Sequence, residues 1–349
     1  MKVLVVGGAG YIGSVLVQVL ISRGHQVGVY DGMLFGDRGL TGIRSELNVV
    51  VGDIRGFSAE HASGYDAVVN LAGISSDPTA EFKPDLTMEL NVEGAVHVAT
   101  VCKEMGVSRY LYASSCSIYD TNSYGDEADV LLDETSAVKP TSTYAHSKLE
   151  AEHRILPMTD DQFSATSLRK GTIYGFSPRM RFDLVINTLM KDAITRKVMT
   201  LHAGGEMWRP VVHVTDAARA YAACLEADAS LVAGQIFNVV YGNFRVSEMA
   251  LRVREALRSI GHDSDIIAEY DQAKVRNYRV SGEHIRRSLG FNLKTGIQES
   301  VTEAVKHLKG LEATDLDSPQ FDNIRWIDRL AEVDPQVDIE HIERWSSPK

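Results

Sequence analysis

Lys2-Val-Leu-Val-Val6 runs directly into Gly7-Gly-Ala-Gly10-Tyr11-Ile12-Gly13. An apolar run this short and uninterrupted reads as a strand buried on both faces of a parallel sheet. After the glycines, Ile12, Val15, Leu16, Val19 and Leu20 recur at helical spacing and stop near Gly24. Strand, glycine turn and helix form the context that makes a G-x-x-G-x-x-G pattern informative. The glycines allow a tight turn and close helix packing. The backbone N–H groups of Tyr11 and Ile12 at the helix start are then free to hold a pyrophosphate.

Outward from that turn, strands and helices alternate. His25-Gln-Val-Gly-Val-Tyr-Asp31 is a second strand with an acidic end. A carboxylate at Asp31 suits a ribose diol and repels a 2′-phosphate, which favours NAD over NADP. Arg38 is near enough in sequence to leave NADP open, and Asp31 has the alternative of bonding its own turn. Val49–Val51 with Asp53-Ile54 at its exit is a third strand. Ala67–Leu71 is a fourth, ending at Ala72-Gly73. A helical run from about Leu86 to Glu104 contains Asn91, which serves either a local backbone group or the active site. Arg109–Ala113 is a fifth strand that delivers Ser114-Ser115-Cys116-Ser117 to its carboxyl end, the edge where open α/β sheets bind ligands. A loop of turn-formers spans Asp120–Asp129. The pattern predicts an α/β, Rossmann-type, doubly wound parallel sheet.

Tyr144-Ala-His-Ser-Lys148 follows on a helix closed by Pro157. At this spacing the two side chains share a face, about 5–6 Å apart at Cβ. A free phenol titrates near pH ~10, and a fixed cation beside it favours the phenolate. So tuned, Tyr144 can exchange a proton with a sugar or alcohol hydroxyl.

Composition bounds the alternatives. The 349 residues carry a formal net charge of −11, which argues against nucleic-acid binding. No apolar run approaches the ~20 residues of a membrane span, and the first is too short for a signal peptide. Cys102, Cys116 and Cys224 form no spaced framework, so a reduced, cytoplasmic protein is expected. The scattered histidines offer no metal site, and none is expected.

In order along the chain, Gly7-x-x-Gly10-x-x-Gly13, Asp31, Asp53-Ile54, Leu71-Ala72, Asn91-Val-x-Gly94, Ser114-Ser115-x-x-Ile-Tyr119 and Tyr144-x-x-x-Lys148 resemble the extended short-chain dehydrogenase/reductase family. The likeness is to its nucleotide-sugar epimerases and dehydratases and covers roughly residues 1–310. It implies Ser115, Tyr144 and Lys148 as catalytic residues. It implies NAD held by the glycine turn (Gly7, Gly10, Tyr11, Ile12, Gly13), Asp31, Asp53, Ile54, Leu71, Ala72, Tyr144 and Lys148. A nucleotide-diphosphate sugar and a homodimer are the implied partners. The family's 4,6-dehydratases carry Asp-Glu after the residue matching Ser115, where this chain has Cys116-Ser117. Cys116 is one place off the cysteine of the 3,5-epimerases and reads as a small buried hydrophobe or a base. Asp120 replaces the usual glycine after Tyr119.

Further along, Gly171-Thr172-Ile-Tyr174-Gly175 resembles the family's Asn-x-Tyr-Gly segment, with Thr172 in place of the sugar-contacting Asn. Ser177-Pro-Arg179-Met-Arg181-Phe-Asp183 carries two arginines suited to a diphosphate or carboxylate, or else to solvent. Arg209 and Arg276 match the family's phosphate-binding arginines, and Ser115, Ser117, Thr172 and Arg181 complete the substrate contacts. His213 and Asp216 are expected to fix a helix entry. The expected organisation is a Rossmann domain over 1–170, with 211–242 returning to it. A smaller, discontinuous substrate domain covers 171–210 and 243–310, and an extension covers 311–349. The extension either docks on the body through Phe321, Ile324, Trp326, Ile327 and Leu330 or is disordered. The function expected is nucleotide-sugar epimerisation through a keto-sugar. The alternatives are a keto-sugar reductase or dehydratase, and a catalytically silent NAD-binding module.

Overall fold

The computed structural model describes residues 1–75, 77–120, 130–270, 276–308 and 313–327. Strands β1 (Lys2–Val6), β2 (Gln26–Asp31), β3 (Asn48–Val51), β4 (Ala67–Asn70), β5 (Arg109–Ser115), β6 (Ser164–Lys170) and β7 (Ile236–Val239) form one sheet. Every pairing in it is parallel, in the order β7-β6-β5-β4-β1-β2-β3. The order reverses between β1 and β4, and that switch point is where an open α/β sheet leaves a crevice for a ligand.

The apolar run of β1 has a direct physical reason. Val3 and Val5 pack into the core on one face, Leu4 and Val6 into the core on the other. Helices α1 (Tyr11–Ser22) and α4 (Val214–Glu226) cover the first face. Helices α2 (Ala95–Glu104) and α3 (Thr143–Ile155) cover the second. The helical run predicted from about Leu86 begins at Pro84 and passes through a π-type turn over Glu89–Gly94 before α2.

Strand β6 is followed after Gly171 by a strand Thr172–Tyr174 in a second sheet, with Trp208–His213 and Gly242–Arg245. At the entry to α4, His213 caps the helix, whereas Asp216 instead ties it to a distant loop. His213 Nδ1 accepts from Thr215 N–H at 3.2 Å, and Asp216 accepts from the Lys294 and Thr295 N–H groups at 2.8 Å each. Of the carboxyl-terminal extension, residues 313–327 dock on the body: Leu316 and Phe321 join the core and Ile327 is buried. Residues 121–129, and 328–349 with Leu330, lie outside the described residues. No helix among the described residues is long and apolar enough to cross a membrane.

Candidate active site

The glycine turn sits at the mouth of β1. Gly7 has φ +84°, and a Cβ there would lie 2.7 Å from Ala72 N. One on Gly13 would lie 2.2 Å from Gly7 O. Only glycine lets the turn, the exit of β4 at Leu71-Ala72 and the start of α1 approach this closely. Gly10 precedes α1 in extended conformation, and no side chain caps the helix. Its first N–H groups therefore remain for an anion, which fits a dinucleotide pyrophosphate. Tyr11 contributes backbone only. Its phenol is turned inward, donating to Gly175 O at 2.5 Å and accepting from Asn187 Nδ2 at 3.0 Å.

Asp31 ends β2 beside this turn. Its carboxylate accepts from Ala9 N–H (2.9 Å) and Met33 N–H (2.8 Å), so it ties the glycine turn to the next loop. Burial raises its pKa, against those two bonds and the charge of Arg179. Asp53 is engaged by Arg55, whose backbone N–H (2.8 Å) and guanidinium (Nη2, 2.5 Å) both reach it. Arg55 also meets Glu89 at 3.0 Å. Ile54 is buried against Gly94. Asn91 serves the backbone: it accepts from Ile74 N–H and donates to Ile74 O and Ser147 Oγ. It thus pins the loop after β4 to α3.

β5 and α3 bring Ser115, Tyr144 and Lys148 together. Ser142 starts α3 by accepting from Ala145 N–H at 3.2 Å, and the next turn presents Tyr144 and Lys148 on one face. Ser115, at the end of β5, accepts from Ser117 N–H at 3.1 Å, and its hydroxyl lies near the Tyr144 phenol. Burial pushes the Tyr144 phenol up, opposed by the Ser115 hydroxyl and the charge of Arg181. Lys148 is itself 4% exposed, and burial pulls its ammonium down to about 8. Lys148 Nζ lies 5.8 Å from the Tyr144 ring centre and 5.3 Å from that of Tyr112.

Arg179 and Arg181 are not solvent-facing; they are 5% and 6% exposed. Arg181 holds Asp183 (2.6 and 2.9 Å) and donates to Ser75 Oγ and O in the loop after β4. Arg179 stacks 3.9 Å from the Phe35 ring centre, and burial pulls its pKa down to about 9. Its Nε is buried without a hydrogen-bond partner among the described residues. A buried, under-satisfied cation beside Asp31 and the start of α1 fits the cofactor's phosphates. Arg38, by contrast, is exposed.

Arg209 and Arg276 meet at the other side of the site. Arg209 donates to Trp208 O (2.8 Å) and to Arg276 O. The Arg276 guanidinium contacts Asp77 and comes within 3.9 Å of the buried Asp120. Thr172 is half-buried at the start of its strand. Ser117 Oγ is buried without a partner among the described residues. Cys116 donates its thiol to Arg169 O at 3.2 Å, and burial raises its pKa far above the ordinary thiol value, in keeping with a small buried hydrophobe.

Two buried groups behind the site escape sequence inspection. Lys170 lies in register with Ser115 and donates to Tyr221 Oη at 2.9 Å. Arg169 pairs with Glu152 and reaches Tyr119 Oη at 2.6 Å. Only the helix period of α3 and the alternation of β6 would have placed Glu152 opposite Arg169.

Residues 3–240 match the sequence model of the NAD dependent epimerase/dehydratase family. A UDP-glucose 4-epimerase of Corynebacterium glutamicum is 27% identical over 303 residues, 78% of this chain and 89% of that protein. The NAD complex of Thermus thermophilus UDP-glucose 4-epimerase superposes with a TM-score of 0.72 at 25% identity, over 89% of this chain and 100% of that one. The dTDP-glucose 4,6-dehydratase DesIV of Streptomyces venezuelae, solved with NAD, gives 0.76 at 26%, over 88% and 97%. With a glycine turn shaped for a dinucleotide and this sequence match over more than half its length, the chain belongs to the NAD-dependent epimerase/dehydratase family, and its cofactor is NAD.

Proposed function

We propose that the protein is a nucleotide-sugar epimerase that works through a transient keto-sugar. The observation that carries this reading is Ser115 at the carboxyl edge of β5 beside Tyr144, with Lys148 one turn on along α3. The first turn of α1, Asp31 and Arg179 would hold NAD, with Lys148 at its nicotinamide end. When bound, NAD supplies hydride exchange with a sugar carbon. Tyr144 Oη takes the proton of the sugar hydroxyl as the carbon beneath it is oxidised. It returns a proton to the carbonyl oxygen when that carbon is reduced from its other face. Ser115 Oγ hydrogen-bonds the same sugar oxygen and holds it against Tyr144. Arg209 and Arg276 would take the diphosphate, with Arg276 leaving Asp77 and Asp120 to do so. Thr172 and Ser117 offer hydroxyls to the pyranose.

Residues 116 and 117 bear a thiol and a hydroxyl, so no carboxyl group directly follows Ser115 to assist loss of water. This favours epimerisation over 4,6-dehydration. A homodimer through the outward faces of the helical run 84–104 and of α3, where the exposed Met88 and the half-buried Leu149 lie, completes the proposal.

The test is incubation with a panel of UDP- and dTDP-hexoses, followed by proton NMR and mass spectrometry. A stereoisomer of unchanged mass, formed with no net NADH consumption, is expected. Loss of water from the sugar, or one NADH consumed per product, would overturn the reading.

A further inference from the structure

The resemblance to the family ends near residue 310, and the segment 313–327 lies beyond it. Its contacts are directed. Phe321 O accepts from Phe182 N–H at 2.7 Å, and the two rings meet edge to face at 5.5 Å. Asn323, 2% exposed, accepts from Arg179 Nη2 at 2.6 Å and donates to Ser75 O (3.3 Å) and Ser75 Oγ (3.2 Å). Trp326 Nε1 donates to Leu34 O at 2.8 Å.

The partners explain the consequence. Leu34 lies in the loop leaving β2, and Ser75 in the loop leaving β4. Those strands flank β1 on its two sides. The segment therefore runs from one wall of the dinucleotide crevice to the other, across the mouth where the glycine turn lies. A cofactor held by the first turn of α1 and Asp31 would be covered by that bridge. Arg179 is fixed under it, between Phe35 and Asn323.

We propose that residues 318–327 are a strap across the NAD crevice, with Asn323 tying its walls together, so that the strap slows the release of bound NAD. Asn323 acts through Arg179 and Ser75 and is a positioning residue. The strap rests on NAD binding alone, whichever sugar reaction follows. It suits a redox-neutral reaction, which regenerates its cofactor in place; a net reductase must exchange NADH every cycle.

The experiment measures cofactor dissociation. The full-length protein is loaded with NAD tritiated in its adenine ring and chased with excess unlabelled NAD, and retained label is followed after desalting. Wild type is expected to keep its label through desalting. Asn323→Ala, which removes three hydrogen bonds, and Trp326→Phe, which removes one donor and keeps a ring, should each release NAD faster, by about tenfold or more for Asn323→Ala. Asp317→Asn is the control. It breaks only the outer ion pairs of the same segment, to Lys191 and Arg325, and should leave release within about twofold. Should Asn323→Ala fail to fold, Trp326→Phe decides. Release at the wild-type rate from Trp326→Phe, or release no faster from the strap variants than from Asp317→Asn, overturns the strap. Label lost from wild type in one desalting step also overturns it, and leaves the epimerase reading standing. Slow release with stoichiometric NADH consumption would do the reverse.

Discussion

Glu152→Gln tests how the catalytic edge of the sheet is held. The Glu152 side chain is fully buried on α3, and its carboxylate accepts from Ser167 Oγ (2.6 Å), Arg169 Nε (3.1 Å) and Arg169 Nη2 (2.5 Å). Arg169 in turn donates to Tyr119 Oη, and Tyr119 donates to Asn238 Oδ1 on β7 at 3.0 Å. Glutamine keeps the shape but not the charge, and its amide turns a donor toward donors. Breaking one partner of a buried ion pair costs about 3–5 kcal/mol, because the other charge stays buried and uncompensated. Against a total stability of about 5–15 kcal/mol, that is a large share. Urea unfolding of the wild type and the variant, followed by far-ultraviolet circular dichroism and extrapolated linearly, measures the loss. Glu152→Leu combined with Arg169→Met should recover much of it, since an apolar pair leaves no orphan charge. The Tyr119 bond is still lost there, so recovery should be partial. A Glu152→Gln loss below about 1 kcal/mol, the scale of an exposed pair, would refute the reasoning.

Tyr144→Phe should lower kcat by about 10²–10⁴-fold, the usual worth of a positioned proton-transfer group, while equilibrium dialysis finds NAD bound as before. Lys148 predicts a pH dependence of the cofactor-free protein. Its pKa falls from 10.5 unfolded to about 8 folded. Between those values the unfolded chain binds the extra proton, so stability rises with pH from about 8 and is lost again as pH falls through about 8. Lys148→Met should remove about 3 kcal/mol of that rise, visible as the difference between the two stability–pH curves. Arg276→Ala should raise KM for the nucleotide sugar about 10- to 100-fold, as expected for a charge-assisted bond to phosphate, with kcat changed far less in steady-state kinetics.

The Rossmann sheet was legible because its signals are local. Val3–Val6 alternates between two cores, so it had to be apolar throughout, and the Gly7–Gly13 turn tolerates no Cβ at its closest approaches. Tyr144 and Lys148 were legible for the same reason, since four residues on one helix set their spacing. The charges around them were not. Arg181, whose charge opposes the rise of the phenol, arrives from a loop distant in sequence, and burial lowers the pKa of Lys148. Asp53 and Arg276 carry pattern-matched positions, yet each carboxylate or guanidinium has a protein partner that no spacing announces.

The chain's own residue order thus determined the dinucleotide-binding architecture and the pairing of Tyr144 with Lys148 on one helix face, since both depend on contacts within a turn or a helix. Tertiary structure alone decided which charges are buried, that Asn91 and Asp31 serve backbone groups, and that residues 323–326 reach the loops after both β2 and β4. Those outcomes depend on contacts as far apart in sequence as Trp326 and Leu34, and desolvation acts on a side chain only once such contacts have closed around it.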